Sequence, residues 1–260
     1  MLKKNHNAVK EKLQNGEKVL AAWAQAGSNI TVEVMADSGI ELIIIDMEHS
    51  PIDLPVLVTQ FQAMNGYPAV PFVRAPWNDF VMIKRILDAG AYGIIVPNVE
   101  SVEDAKAAIA AVRYPLSGIR GVAGSTRAAH YGNDPLSYFS KANDLVMLFV
   151  MIESPKGIEN LDEILALEDL DGVMVGPVDL ATNMGFLGDP AVPEAKAALL
   201  GIEKKVVASG KYLLSLGPDF EGAKKKFENG SHIATCMSDT LSLGALTREN
   251  LRKFSEEYKK

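Results

Sequence analysis

The residues of this sequence that can do chemistry stand where apolar runs stop. Ile43-Ile44-Ile45 is followed at once by Asp46-Met47-Glu48-His49, Val70-Pro71-Phe72-Val73 by Arg74, and Leu148-Phe149-Val150-Met151-Ile152 by Glu153. Asp179 comes just after Val173-Met174-Val175, across the turn Gly176-Pro177-Val178. Glu153 and Asp179, with no Cys or His beside them, form a hard oxygen pair suited to Mg²⁺ or Mn²⁺ rather than zinc. The competing reading gives Glu153 to Lys156 as an ion pair and makes Asp179 a helix cap. His49 suits proton transfer, and Asp46 three residues earlier can orient its ring and raise its basicity. Glu48 reads as a salt-bridge partner at the rim. Arg74, planar and permanently charged, suits a carboxylate or a developing oxyanion, or pairs with one of these acids. Trp23 reads as core or, at the end of its own run, as a pocket wall. Gly176 permits a tight turn, and the N–H groups of Val178 and Asp179 can receive a substrate carboxylate.

Residue types at run ends matter only if the runs meet, so the elements that position them come next. Strands are expected at 19–24, 41–46, 69–74, 92–96, 145–153, 172–176, 212–216 and 233–237. Helices are expected at 1–16, 30–37, 54–65, 79–88, 102–113, 154–167, 194–209, 220–228 and 241–258. Stretches 114–143 and 177–190 read as irregular. Ser28, Asn78-Asp79 and Ser101 are start signals, and Gly39, Gly66 and Gly90 are stops. The strands are continuous apolar runs rather than alternating ones, as in a parallel sheet buried on both faces. Eight β-α units in 260 residues predict one α/β domain, a TIM (β/α)8 barrel. In that fold strand C-termini form the active face, which brings the run-end residues to one mouth.

The bulk properties exclude other classes. A net charge of −7 argues against general nucleic-acid binding. The lysines at Lys204-Lys205 and Lys224-Lys225-Lys226 read as solvated helix faces. Cys236, the single cysteine, allows no internal disulfide and reads as a buried thiol in a reducing compartment. With neither a signal-peptide pattern nor an 18-residue apolar span, the expectation is a cytoplasmic protein with no membrane partner. His6 and His232 read as structural or solvated, whereas His130, beside Arg127, is kept as a candidate substrate contact.

The motifs Ile45-Asp46-Met47-Glu48-His49, Val73-Arg74 with Trp77-Asn78-Asp79, Tyr114-Pro115 with Gly118-Ile119-Arg120-Gly121, Ile152-Glu153, and Val175-Gly176-Pro177 with Asp179-Leu180 resemble the HpcH/HpaI class II aldolases. The resemblance implies a barrel of the phosphoenolpyruvate/pyruvate type that cleaves or forms 4-hydroxy-2-oxo acids using a divalent metal, Mg²⁺ first and Mn²⁺ or Co²⁺ as alternatives. It implies Glu153 and Asp179 as metal ligands, His49 assisted by Asp46 as acid/base, and Arg74 on the C2 oxygen of pyruvate. Gly176 and the amides of Val178 and Asp179 are implied around the carboxylate. Trp23, the 114–143 stretch and a neighbouring subunit are implied around the aldehyde. It also implies homo-oligomers, commonly hexamers, that exchange the last helix. The sequence departs from the family at Met151, where a glutamine is usual, and in its C-terminal third. An acyl-CoA lyase on the same barrel and a keto-acid-binding barrel without turnover stay open.

Overall fold

The structure is a computed structural model that describes residues 5–259. Strands β1 (Val19–Ala24), β2 (Leu42–Asp46), β3 (Val70–Arg74), β4 (Gly93–Val96), β5 (Met147–Ile152), β6 (Gly172–Val175), β7 (Tyr212–Ser215) and β8 (Ile233–Ser238) pair in sequence order, and β8 closes on β1. Every pairing is parallel. The helices are α1 (Ala8–Gln14), α2 (Asn29–Asp37), α3 (Leu54–Ala63), α4 (Phe80–Ala89), α5 (Val102–Val112), α6 (Pro135–Phe139), α7 (Ala142–Leu145), α8 (Pro155–Glu159), α9 (Leu161–Leu165), α10 (Pro177–Asn183), α11 (Pro193–Ala208), α12 (Phe220–Glu228) and α13 (Asp239–Tyr258). This is the expected TIM-type barrel. The side chains of Ser28, Asp53, Asp79 and Ser101 accept bonds from first-turn N–H groups, so α2 to α5 start where short polar side chains satisfy orphan donors.

Continuous apolar strands serve two cores at once. Outward residues such as Ile43, Ile45, Val73, Ile94 and Val150 pack under the helices, while Ile44, Phe72, Phe149, Met151 and Met174 fill the barrel interior. The Phe72 and Phe149 rings lie 6.0 Å apart across that interior. A Cβ on Gly172 would come within 2.4 Å of the Phe149 ring, so a glycine there lets the ring occupy the bore. The barrel is therefore solid, and chemistry is confined to its ends.

Four local expectations change. The helix after β5 is two short ones, α8 and α9, broken at Asn160, which caps the first and leads into the second. The segment after β6 begins as α10 rather than as loop. Stretch 114–143 holds a 3-10 turn at His130–Gly132 and the short helix α6, with α7 reaching from it to β5. Cys236 is half-buried, because β8 shifts register against β1 there: Ala21 pairs with Thr235, but Ala22 pairs with Met237. Among the described residues no helix is long and apolar enough to cross a membrane.

Candidate active site

At the C-terminal end of β2, Asp46 is fully buried and surrounded by donors. Its register partner on β3 is Arg74, which grips it from two positions: Nε donates to Oδ1 at 2.9 Å and Nη2 to Oδ2 at 2.7 Å. The N–H groups of Glu48 and His49 donate to Oδ1 at 3.0 and 3.3 Å. Ser50 Oγ and Gln25 Nε2 donate to Oδ2 at 3.2 and 3.3 Å. Burial pushes the Asp46 carboxyl up, but the bonds and charge of Arg74, with the Glu48 amide and Gln25, outweigh it and hold it below its ordinary range. Glu48 lies on the same side, 3.0 Å from Arg74 Nη1, and burial raises its pKa despite that arginine. Arg74 also sits over the Trp23 ring at 5.0 Å, so the buried Trp23 forms the wall behind the guanidinium.

The expected Asp46–His49 dyad is corrected by this geometry. Asp46 takes the main-chain N–H of His49, not its ring, because the turn after β2 curls its amides back onto the carboxylate. The imidazole stands at the rim, 60% exposed, with Nε2 3.6 Å from Glu48 Oε2. The acid beside the ring is Glu48, at ion-pair distance.

Across the mouth the electrostatics differ. Glu153 follows β5 and is buried; Oε1 accepts the N–H of Asn98 at 2.8 Å, while Oε2 has no partner. Asn98 presents that N–H from a left-handed backbone, φ 55°, which asparagine tolerates better than most residues. A Cβ on Gly176 would lie 2.2 Å from Glu153 Oε2, so the missing side chain leaves that oxygen room. Burial raises the Glu153 carboxyl to about 7, with the charges of Asp179 and Glu48 adding to the rise. Asp179 stands in the first turn of α10, and Asn183 of the same helix donates to the Glu153 carbonyl at 2.9 Å. The first bond inside α10 is Leu180 N–H to Gly176 C=O, so the amides of Val178 and Asp179 have no acceptor within the helix. Among the described residues no group of three or more His, Cys, Asp or Glu is arranged around a metal position. Two carboxylates with one buried orphan oxygen fit Mg²⁺, which binds through one or two carboxylates plus substrate and water.

Comparison with known proteins settles the lineage. The family model HpcH/HpaI aldolase/citrate lyase matches residues 20–243. The chain belongs to the HpcH/HpaI aldolase/citrate lyase family. A 4-hydroxy-2-oxo-heptane-1,7-dioate aldolase of Salmonella heidelberg is 36% identical over 253 residues, 97% of this chain and 96% of that one. A 5-keto-4-deoxy-D-glucarate aldolase of Salmonella paratyphi C is 37% identical over 98% of this chain and 97% of that one. The crystal structure of an HpcH/HpaI family protein from Burkholderia cenocepacia superposes with a TM-score of 0.88 at 33% identity, covering 95% and 99% of the two chains. Membership makes the protein a carbon–carbon lyase of the aldolase kind.

Other candidates fall away from this HpcH/HpaI mouth. Stretch 114–143 joins α5 to β5 and therefore packs at the N-terminal end of the barrel, where Arg127 donates to the Ala89 and Phe61 carbonyls and Ala128 N–H bonds Asp88 C=O. Within one chain it lines no aldehyde pocket, and His130 goes with it. A cavity of about 550 Å³ opens there, lined by Tyr92, Arg127 and Tyr138 among others. It lies far from the run-end acids, and Arg127 is accounted for as a cap on the carbonyl ends of α3 and α4. His232 accepts the Leu213 N–H at 3.1 Å and His6 pairs with Glu11, both structural as expected. Lys205 reaches exposed Asp162, whereas Lys226 leaves the expected solvated face to pair with buried Glu203 at 2.7 Å. Asn98, which follows β4, and Gln25, one residue beyond β1, join the site without any distinguishing motif in the sequence.

Proposed function

We propose that the protein is a class II aldolase that cleaves or forms 4-hydroxy-2-oxo acids, with pyruvate as the 2-oxo product. The observation that carries this reading is the buried, partnerless Glu153 Oε2 opposite Gly176, with Asp179 close enough for its charge to act on the same carboxyl. Glu153 and Asp179 would hold a divalent cation, Mg²⁺ first and Mn²⁺ or Co²⁺ as alternatives. When bound, that cation supplies positive charge that favours enolate formation. In cleavage the proton of the 4-hydroxyl leaves to a base, and C4 becomes the aldehyde carbonyl as the C3–C4 bond breaks. The electron pair of that bond forms the C2–C3 enolate, and a proton returned to C3 completes pyruvate. His49 is that base, exposed at the rim and backed by Glu48. Arg74, held by Asp46 and Glu48, offers its remaining donor capacity to the C2 oxygen as charge develops there. Gly176 leaves room for the substrate carboxylate, and the N–H groups of Val178 and Asp179 donate to it. Trp23 supplies the apolar wall of the aldehyde side. Among the described residues no strand ends in lysine, which is consistent with a route that needs no Schiff base.

The same reading takes the working form as a homo-oligomer, a hexamer. Leu241, Leu243, Leu246, Leu251 and Phe254 are all more than half exposed on α13, which touches its own barrel mainly at β1 and β8. A helix carrying that much apolar surface suits exchange with a neighbouring copy. We also infer a cytoplasmic setting, since a single unpaired thiol suits a reducing compartment.

The test is a panel of 4-hydroxy-2-oxo acids with pyruvate release as the readout. Turnover is expected to stop with EDTA and return with Mg²⁺, Mn²⁺ or Co²⁺. Cleavage of CoA thioesters in place of free acids, or pyruvate binding with no turnover of any aldol, would replace the assignment.

A further inference from the structure

The Asp46–Arg74 pair is tied to the base of the last helix by one side chain with no role so far. Gln25 follows β1 directly. Its Nε2 donates to Asp46 Oδ2 at 3.3 Å, and its Oε1 accepts from Ser238 Oγ at 2.8 Å and Thr240 Oγ1 at 3.4 Å. The amide can be oriented only one way, because a carboxylate accepts and does not donate, so the nitrogen must face Asp46. The backbone beneath it is clamped as well. Asp239 accepts the N–H of Gln25 at 2.8 Å and of Ala26 at 3.2 Å, and also the Thr31 hydroxyl at 2.8 Å. Asp239 is buried and opens α13, so loop, helix base and site arginine form one continuous network.

We propose that Gln25 is a positioning residue of the active site, holding the Asp46 carboxylate, and through it the Arg74 guanidinium, from an anchor on Ser238 and Thr240 at the start of α13. The inference rests on the aldolase reading above. Gln25 touches no substrate in this arrangement. It sets the angle of the carboxylate that grips Arg74 Nε and Nη2, and hence where Nη1 points into the mouth. The network also makes the site sensitive to how α13 is seated, since Ser238 both caps that helix and orients Gln25.

The experiment compares Gln25→Leu and Gln25→Glu with wild type in the full-length protein with Mg²⁺. Gln25→Leu removes both bonds while leaving an apolar side chain in place, and is expected to lower kcat/KM about tenfold, since small misplacements of a charged clamp are costly to catalysis. Gln25→Glu is the discriminating variant. A protonated carboxyl can donate to Asp46 as the amide does, whereas an ionised one repels it. The charged groups facing this position are Asp46, Arg74 on β3, Glu48 and His49 on the loop after β2, and Asp239 on α13. The ratio of Gln25→Glu to wild-type kcat/KM is expected near unity at about pH 5 and at least about tenfold lower by about pH 8, as the shared proton is lost. A residue that merely packs would leave that ratio flat.

Pyruvate affinity by titration calorimetry with Mg²⁺, run on the same variants, separates the two claims. If wild type cleaves no aldol but binds pyruvate, the reaction assignment fails, and weaker binding by Gln25→Leu still supports the positioning role. Unchanged thermal midpoints show that the variants are folded; should Gln25→Leu not fold, the pH-dependent ratio of Gln25→Glu decides alone. Wild-type kcat/KM and pyruvate affinity in folded Gln25→Leu, or a pH-independent Gln25→Glu ratio, overturns the proposal.

Discussion

The two halves of the barrel mouth carry similar acids in opposite states. On the β2–β3 side, Asp46 has six donors around it and a pKa below its ordinary range. On the β5–β6 side, Glu153 has one main-chain donor, an orphan oxygen and a carboxyl raised to about 7. Both are buried, so burial alone does not separate them. The difference lies in what each is left to bind. Asp46 is complete without a ligand, and its product is a fixed arginine. Glu153 keeps one buried oxygen without a partner, the opening that the proposed cation would fill. One half is closed on itself, and the other is left open.

That contrast can be broken residue by residue. The largest expected effect is at Glu153: Glu153→Gln should lower aldol cleavage by about a thousandfold or more, because charge stabilisation at the enolate goes with it. Its thermal midpoint should not fall in metal-free protein, since the change removes a desolvated carboxylate. A variant that keeps activity, or one that unfolds early, would show that Glu153 is structural after all. Asp46→Ala should do the reverse and cost about 3–5 kcal/mol of stability by denaturant titration, because it leaves the buried Arg74 without its main counter-charge. Little loss there would mean that Glu48 alone can hold the arginine. Gly176→Ala should come next, with about a hundredfold loss of activity and about 1–3 kcal/mol of destabilisation. Its Cβ would meet Glu153 Oε2 at 2.2 Å and Met151 Cε at 3.0 Å, so the orphan oxygen is displaced while the fold adapts.

The smallest effect is a pH dependence of opposite sign in the two halves, read from thermal midpoints of metal-free protein. Glu153 has a folded pKa of about 7 against an ordinary 4.5. It binds more protons folded than unfolded in that interval, so the stability it contributes is full below about 4.5 and is lost as pH rises through about 7. Asp46 has a folded pKa below its ordinary 3.8. Its contribution is present above that value and is lost as pH falls through the folded pKa. The midpoint of wild type relative to Glu153→Gln should therefore decline from about pH 4.5 to pH 7, and Mg²⁺ should bind more tightly over the same range. A flat difference would mean that Glu153 is ionised without a cation.

Much of this could be read before the fold was seen. The eight strands fall within a few residues of expectation, because a strand buried on both faces leaves an uninterrupted apolar run. The acids and Arg74 were legible as the residues on which those runs stop. Short helices were harder: α8, α9 and α10 span only one or two turns, too short for a helical period to develop. The error at Asp46 came from judging it by its nearest neighbour in sequence. Spacing put it three residues from a histidine, whereas sheet register put it opposite Arg74.

What the sequence determined by itself is the barrel, its active end and the inventory of acids, arginine and histidine at that end. Hydrophobic periodicity and local caps act over one element, and a run-end residue inherits its position from the strand beneath it. The tertiary structure alone decided which of those residues are satisfied and which are waiting. It seated Arg74 on Asp46, left Glu153 Oε2 bare beside a glycine, sent stretch 114–143 to the far end, and brought Gln25 against Ser238 across 213 positions of chain. Those outcomes depend on register and closure. Both are properties of strands meeting one another, and no single segment carries them.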